Sequence, residues 1–404
     1  MIDLKAPQIT YIDNKIVYGI AYDWELILRA YKALKLPEES YDPTRSLREG
    51  VRAGCRWWVG MSKRKVGKTT AYLLIGLIMH YLYGTEIQYI RETEEMIAPK
   101  YAGDMFNLIV ECDYIEDITG GEYNNVRYEA RRWYLCKVED GELVAQDPRP
   151  LCSMLSVDNW ATLKSGYVAP LGDLIIFDEF IGRGYKPDSF VHLAQLISTI
   201  KRWRRSSLII MLANQIDLYS PYFNELCIAD AMQKIPVGGR SIITSPRGTK
   251  VYAERIEQAE SVKRQDEVDV MLYFGFDNPN LASITGDEWA TACYQHIPEG
   301  DVEQLYNHIY IEYVDKYVRL DLVNHKDLGL CCYVHWATRT YPDSLILSAE
   351  ERTDPRRIYR TGRGALDNLI HKLYADNRVY YATNDVGAFV ESYLNYIRKL
   401  RSPV

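Results

Sequence analysis

Cysteine is scarce and scattered: the eight, at positions 55, 112, 136, 152, 227, 293, 331 and 332, form no C-x-x-C pair. That spacing excludes the usual structural zinc frameworks and predicts reduced thiols. The seven histidines are equally dispersed and make no metal pair. Positive charge is not in excess either, with 48 Lys and Arg against 55 Asp and Glu and a formal net charge of -7. Any nucleic-acid surface therefore has to be local, a lined groove rather than a basic face. The longest apolar run, around Leu73–Met79, is far too short for a bilayer. The opening MIDLKAPQITYIDNK lacks the apolar core of a signal peptide. Together these absences predict a soluble intracellular protein with no membrane partner. The one excess is tyrosine, 33 residues, which with the tryptophans is read as core rather than as base-stacking surface.

With 404 residues the chain has room for two domains. Residues 1–50 read as an N-terminal extension with an amphipathic helix near DWELILRAYKALKL (23–36). From position 51 to 256 short apolar strands alternate with helices, which argues for a parallel α/β sheet. CRWWVGM, EIQYIR, LCSMLS, LGDLIIFDEF and SLIIMLANQ are its strands, and a helix is predicted over about 93–111. The Gly, Pro and basic residues near 233–250 predict the end of the sheet. Residues 257–295 are charged and weakly periodic, as a linker is. Residues 296–404 read as a smaller α/β domain, whose first strand is taken as IYIEYVDKYVRLDL, followed by further strands and two helices.

VGMSKRKVGKTTAYLLIGL (59–77) matches the tail of the phosphate-loop pattern G-x-x-x-x-G-K-[ST] at Gly67, Lys68 and Thr69. The place of the first glycine is held by Ser62, and Lys63, Arg64, Lys65 and Val66 fill the loop, with Thr70 after it. Alone, this stretch reads equally well as a solvated basic turn. LIIFDEF (174–180) changes the balance, because a buried strand ending in Asp178 and Glu179 is what Mg-dependent nucleotide hydrolysis requires. In that reading Lys68 meets the β- and γ-phosphates of ATP and Thr69 and Asp178 hold Mg²⁺. Glu179 then polarises the attacking water. Asn214, ending the next apolar strand, is a candidate contact to the γ-phosphate or the water, and otherwise a turn asparagine. TIKRWRR (199–205) offers Arg202 and Arg204 as an arginine finger, a DNA-phosphate contact or a helix end suited to its dipole.

These residues resemble the DNA-packaging ATPases of φ29-type podoviruses, relatives of the large terminase subunit. The likeness is carried by RKVGKTT, by YIRETEEMIAPKYAGDMF (89–106), and by LCSMLSVDNWATLKSGYVAPLGDLIIFDEFI (151–181) with Ser156, Lys164 and Ser165. TIKRWRR, MLANQIDLYSPYFNEL (211–226) and LYADNRVYYATNDV (373–386) extend it toward the C-terminus. The resemblance implies a P-loop NTPase domain of the ASCE type, a linker, and an RNase H-like domain that has lost its nuclease chemistry. It further implies a ring of five subunits on the portal of a procapsid in the host cytoplasm, with a scaffold RNA as a further possible partner. That ring would drive double-stranded DNA inward, with Lys100 facing the DNA.

Three alternatives stand beside this one. A terminase with a live nuclease would need converging carboxylates on the second domain, where Glu312, Asp315, Asp321 and Asp385 are available. A non-motor nucleotide-binding protein would have no need of Glu179. A helicase-like DNA translocase would share the same core.

Overall fold

The computed structural model describes residues 22–99, 104–167, 169, 171–181, 188–201, 206–214, 220–273, 294–298, 300–348, 356–359 and 365–401. The chain divides into two compact units, Met1–Gln215 with Glu225–Gln265, and Ile216–Asn224 with Asp266–Val404.

The first unit is built on a ten-stranded sheet. Its strands are β1 (Trp57–Ser62), β2 (Ile87–Arg91), β3 (Asn125–Glu129), β4 (Arg132–Glu139), β5 (Glu142–Gln146), β6 (Cys152–Ser156), β7 (Leu174–Asp178), β8 (Leu208–Asn214), β9 (Arg240–Thr244) and β10 (Lys250–Arg255). They lie in the order β3-β4-β6-β2-β7-β8-β1-β10-β9, with β5 paired to β4. From β6 to β10 every neighbouring pair is parallel. Strands buried on both faces need apolar residues at every position, which is why β7 (LIIFD) and β8 (LIIMLAN) are continuous apolar runs. β8 follows β1 and β7 in the chain but lies between them, so three strand ends sit side by side.

Helices α1 (Trp24–Ala33), α2 (Thr44–Ala53) and α3 (Lys68–Tyr83) cover the sheet. α3 is apolar nearly all round because it is buried between the sheet and α1. Gly76 lets it approach β2, since a Cβ there would lie 2.4 Å from Ile87 Cδ1. Residues 22–50, expected as an extension, contribute Ile27, Leu28, Tyr31 and Leu47 to the same core cluster as α3 and the sheet.

Several local expectations give way to the fold. The helix expected over 93–111 is not continuous: a 3₁₀ turn at Glu95–Ile97 ends with Ala98 extended, as a residue before proline prefers, helix begins at Pro99, and a separate short helix spans Asn107–Glu111. Around 233–250 the sheet does not end. A turn closed by Ser245 N to Thr249 O (2.8 Å) folds β9 onto β10, which runs parallel to β1. Within 257–295, residues Glu260–Tyr273 form a helix.

The second unit carries a six-stranded sheet of β11 (Val302–Tyr313), β12 (Lys316–His325), β13 (Gly329–Ala337), β14 (Leu345–Ser348), β15 (Arg357–Tyr359) and β16 (Val379–Tyr381). Their order is β15-β14-β11-β12-β13-β16. IYIEYVDKYVRLDL is not one strand but a hairpin, turning at Val314 (φ 44°) and Asp315 (φ 58°) with Tyr313 opposite Lys316. Both central residues are left-handed, as a two-residue type I′ loop demands, although neither is glycine or asparagine. Asp385 lies in the first turn of the helix Asn384–Arg401. That helix supplies Val386, Phe389, Val390, Tyr393 and Ile397 to a core shared with Ile309, Ile311, Val318 and Leu320. Among the described residues no helix is long and apolar enough to cross a membrane.

At the amino ends of the parallel strands, Asp173 is fully buried and accepts hydrogen bonds from Tyr22 Oη (2.8 Å), Ser206 Oγ (2.7 Å) and Ser207 Oγ (3.1 Å). A buried carboxylate satisfied this way ties the starts of β7 and β8 to the chain before α1. Asp173→Ala removes an acceptor shared by three hydroxyls, of which Tyr22 Oη also meets Thr85 Oγ1 at 2.9 Å, and should cost about 3 kcal/mol. Thermal unfolding would register this as a clear drop in midpoint, and an unchanged midpoint would contradict it.

Candidate functional site

The carboxyl ends of β1, β7, β8 and β2 converge on one cluster. β1 ends at Ser62, which pairs in register with Asn214 at the end of β8. The chain then turns through Lys65 (φ 62°) and Gly67 (φ 78°) into α3, whose first residue is Lys68. Glycine meets the left-handed conformation at 67 without strain, whereas at 65 a lysine has to adopt it. Ser62 Oγ donates to Lys63 O within the loop at 2.7 Å, and Val66 is buried beneath it. Lys63 and Thr70 are half-buried, while Arg64 and Lys65 face solvent.

Lys68 is 7% exposed and donates to Asn214 Oδ1 at 2.8 Å. Burial pulls its pKa below the ordinary lysine value, and the charges of Asp178 and Glu179 oppose that fall. Thr69 Oγ1 donates to Asp178 Oδ2 at 3.0 Å, across the width of β8. The same carboxylate oxygen accepts from Tyr89 Oη at 2.7 Å, and Asp178 Oδ1 receives the Glu179 backbone N–H at 3.0 Å. Burial, then the Asp178 charge, holds the Tyr89 phenol well above its usual pKa, so it stays a donor.

Glu179 has φ 54°, a sharp turn directly after the strand that brings its carboxylate out toward solvent. There Arg91 Nη2 meets Glu179 Oε2 at 3.0 Å, while Arg91 Nη1 lies 3.6 Å from Asp178 Oδ2. Burial disfavours the Arg91 charge, but Tyr89, Asp178 and Glu179 outweigh it and raise its pKa. Tyr89 and Arg91 belong to the site although sequence reasoning gave them no role. Their signal was faint: two residues apart on β2, they share a face, yet only the placement of β2 beside β7 shows what they meet.

Ser156 and Lys164 make their contacts elsewhere. Ser156 Oγ donates to Glu94 Oε1 at 2.9 Å, and Lys164 Nζ lies 5.7 Å from the Trp160 ring centroid. Ser165 is helical, on Trp160–Gly166. Lys100, Arg202 and Arg204 lie outside the described residues.

Chemically, a 16-residue helix opening on a lysine, with its free N–H groups at that end, attracts an anion. The paired oxygens of Thr69 and Asp178 suit a hard cation such as Mg²⁺, which takes oxygen ligands. Among the described residues no group of three or more His, Cys, Asp or Glu could hold a metal by itself. Arg91 meets both carboxylates. Arg91→Ala should lower the unfolding midpoint by the equivalent of about 2 kcal/mol, in the range of hydrogen bonds to charged groups. Calorimetry of the ligand-free chain checks this, and an unaltered midpoint would mean that the pairing stabilises nothing.

No protein-family model and no curated protein matches the chain. Solved structures do. The phage phi28 gp11 DNA packaging motor aligns with 91% of this chain and all of its own, at 16% identity and a TM-score of 0.51. The bacteriophage phi29 viral genome packaging motor assembly aligns with 90% of this chain and 100% of its own, at 15% identity and a TM-score of 0.53. Across nearly its whole length, the chain has the fold of these phage DNA-packaging motor proteins.

Proposed function

We propose that the chain is an ATPase that drives double-stranded DNA into a preformed phage capsid. The observation that carries this reading is the meeting of Lys68, Thr69, Asp178 and Glu179 at the carboxyl ends of parallel strands, at the start of α3. The whole-length likeness to packaging motors supports it. β8, inserted between β1 and β7, is the additional strand of an ASCE-type sheet.

Lys68 and the N–H groups opening α3 bind the β- and γ-phosphates of ATP. Thr69 and Asp178 would hold Mg²⁺, which neutralises charge on the phosphates when bound. Asn214 accepts from Lys68 and would meet the γ-phosphate or the attacking water once Lys68 turns to ATP. Glu179 is the base that orients and polarises that water, and it must leave Arg91 to do so. Removing the base alone should leave binding intact. Glu179→Gln is expected to keep ATP affinity within about threefold while turnover falls roughly a hundredfold or more. Near-normal turnover in a steady-state phosphate-release assay would remove Glu179 from this role.

The segment 202–205 is flanked by the helix Ser189–Lys201 and by Ser206 and Ser207, which bind Asp173 at the amino end of β7. Lys68 and Thr69 sit at the other end of that strand, about 17 Å away at roughly 3.3 Å per residue. These flanks support an arginine that serves a neighbouring subunit's site, with Arg202 the first candidate and Arg204 the second. In a ring of five subunits on the portal, each site would then lie at a boundary. Inactive Arg202→Ala and Lys68→Ala chains, mixed, should regain ATPase activity with a maximum near equal proportions. If no ratio restores activity, and Arg204→Ala behaves the same, the completing arginine lies elsewhere.

The second unit supports the vestigial-nuclease reading. The sub-order β13-β12-β11-β14-β15, with β14 and β15 parallel to β11, is that of an RNase H-like sheet. Its two buried candidate carboxylates are engaged by neighbours: Glu312 accepts from Tyr317 Oη at 2.6 Å, and Asp321 from Arg319 Nε at 2.8 Å and Gln304 Nε2 at 3.0 Å. His335 Nε2 also lies 3.2 Å from Asp321. DNA is held through its phosphates, by a local surface that includes Lys100.

A further inference from the structure

The loop between β1 and α3 lacks the first glycine of the strict pattern and has a lysine in the left-handed region at position 65. Something other than glycine must therefore set its peptide planes. In a loop that cradles an anion the N–H groups converge, so the carbonyls of the same planar peptides point outward. Two of these carbonyls are held from outside. Val66 O accepts the backbone N–H of Tyr41 at 3.1 Å, and Arg64 O accepts Gln258 Nε2 at 3.4 Å. Because a trans peptide directs its C=O and N–H in opposite senses, the first bond aims the Gly67 N–H and the second aims the Lys65 N–H.

Both holders are buried and anchored to the end of β10. Tyr41 is 8% exposed, and its Oη donates to Glu254 Oε2 at 2.8 Å and lies 3.1 Å from Ser46 Oγ. Its carbonyl receives Tyr31 Oη at 3.1 Å, and its ring lies 6.2 Å from that of Tyr72 on α3. Gln258 is 5% exposed, two residues after Ile256, whose N–H extends the β1–β10 pairing onto Met61 O at 2.7 Å.

We infer that Tyr41 and Gln258 are positioning residues that preset the phosphate loop, aiming its N–H groups by gripping the opposite carbonyls. They replace the constraint that a first glycine supplies in the strict pattern. The chain before α2 and the chain after β10 thereby become parts of the phosphate site without touching phosphate. This rests on the nucleotide-binding reading of the loop.

The test is Gln258→Leu in the full chain, with Tyr41→Phe as a second variant that loosens the other grip. Isothermal titration with ATP and with inorganic tripolyphosphate gives the two affinities, and calorimetry without ligand gives stability. Gln258→Leu should weaken both ligands by the same factor, about tenfold, the scale of one lost hydrogen bond. Turnover at saturating ATP should stay within about twofold, and Tyr41→Phe should show the same pattern more weakly. Loss of ATP affinity with tripolyphosphate unchanged would make Gln258 a contact to the base and overturn the inference. So would affinities equal to those of the unaltered chain in both variants, or losses that only track a fall in the ligand-free unfolding midpoint. An unaltered chain that binds tripolyphosphate but hydrolyses no ATP would sink the motor reading and leave the grip standing. One that binds neither ligand sinks both.

Discussion

Asp178 is the group on which the end of the sheet depends. Hydroxyls from Thr69 and Tyr89, the Glu179 backbone N–H and the Arg91 guanidinium all reach its two oxygens. These groups come from three elements separated widely in the chain, α3, β2 and β7. A nearly buried carboxylate is costly unless its lone pairs are met, so each partner has to be held in place. Parallel strands ending together make that possible, because they deliver several side chains to one edge at fixed spacing. The insertion of β8 sets how far apart Thr69 and Asp178 begin, and the 3.0 Å contact shows that the two side chains span it.

One charged hydrogen bond and one ion pair then hold the two ionised side chains beside Asp178. Lys68 is satisfied by Asn214, and Glu179 by Arg91. Under the proposed function, nucleotide would have to draw both groups away from these contacts. The burial that depresses the Lys68 pKa is also what strengthens its pull on an entering phosphate, since the surroundings screen charge weakly. Behind this edge, Tyr41 and Gln258 hold the loop by its carbonyls, so the cradle is supported from two sides of the unit.

Much of this was legible in the residues. Uniformly apolar β7 and β8 announce strands covered on both faces, and Gly67-Lys68-Thr69 with Asp178-Glu179 announces a site at their ends. Tyr89 and Arg91 were hidden because their role follows from strand order, and β2 comes to lie beside β7 only through long-range pairing. The hairpin at Val314–Asp315 was missed because it turns without Asn-Gly or any glycine, although Val314 also packs on the second unit's core. The break at Ala98 was visible in the sequence, because the residue before Pro99 disfavours the helical region. Residues 22–50 read as an appendage because their amphipathic helix gave no hint of its partner, which is α3 itself.

The central claim is that phosphate enters where Lys68 now meets Asn214. The most direct measurement is a structure of the chain with Mg²⁺ and a non-hydrolysable ATP analogue, resolved at residues 62–69. The account predicts the Lys68 ammonium turned from Asn214 Oδ1 onto the β- and γ-phosphates, with the loop N–H groups around them. Nucleotide bound elsewhere, or Lys68 still on Asn214 with the analogue present, would contradict it.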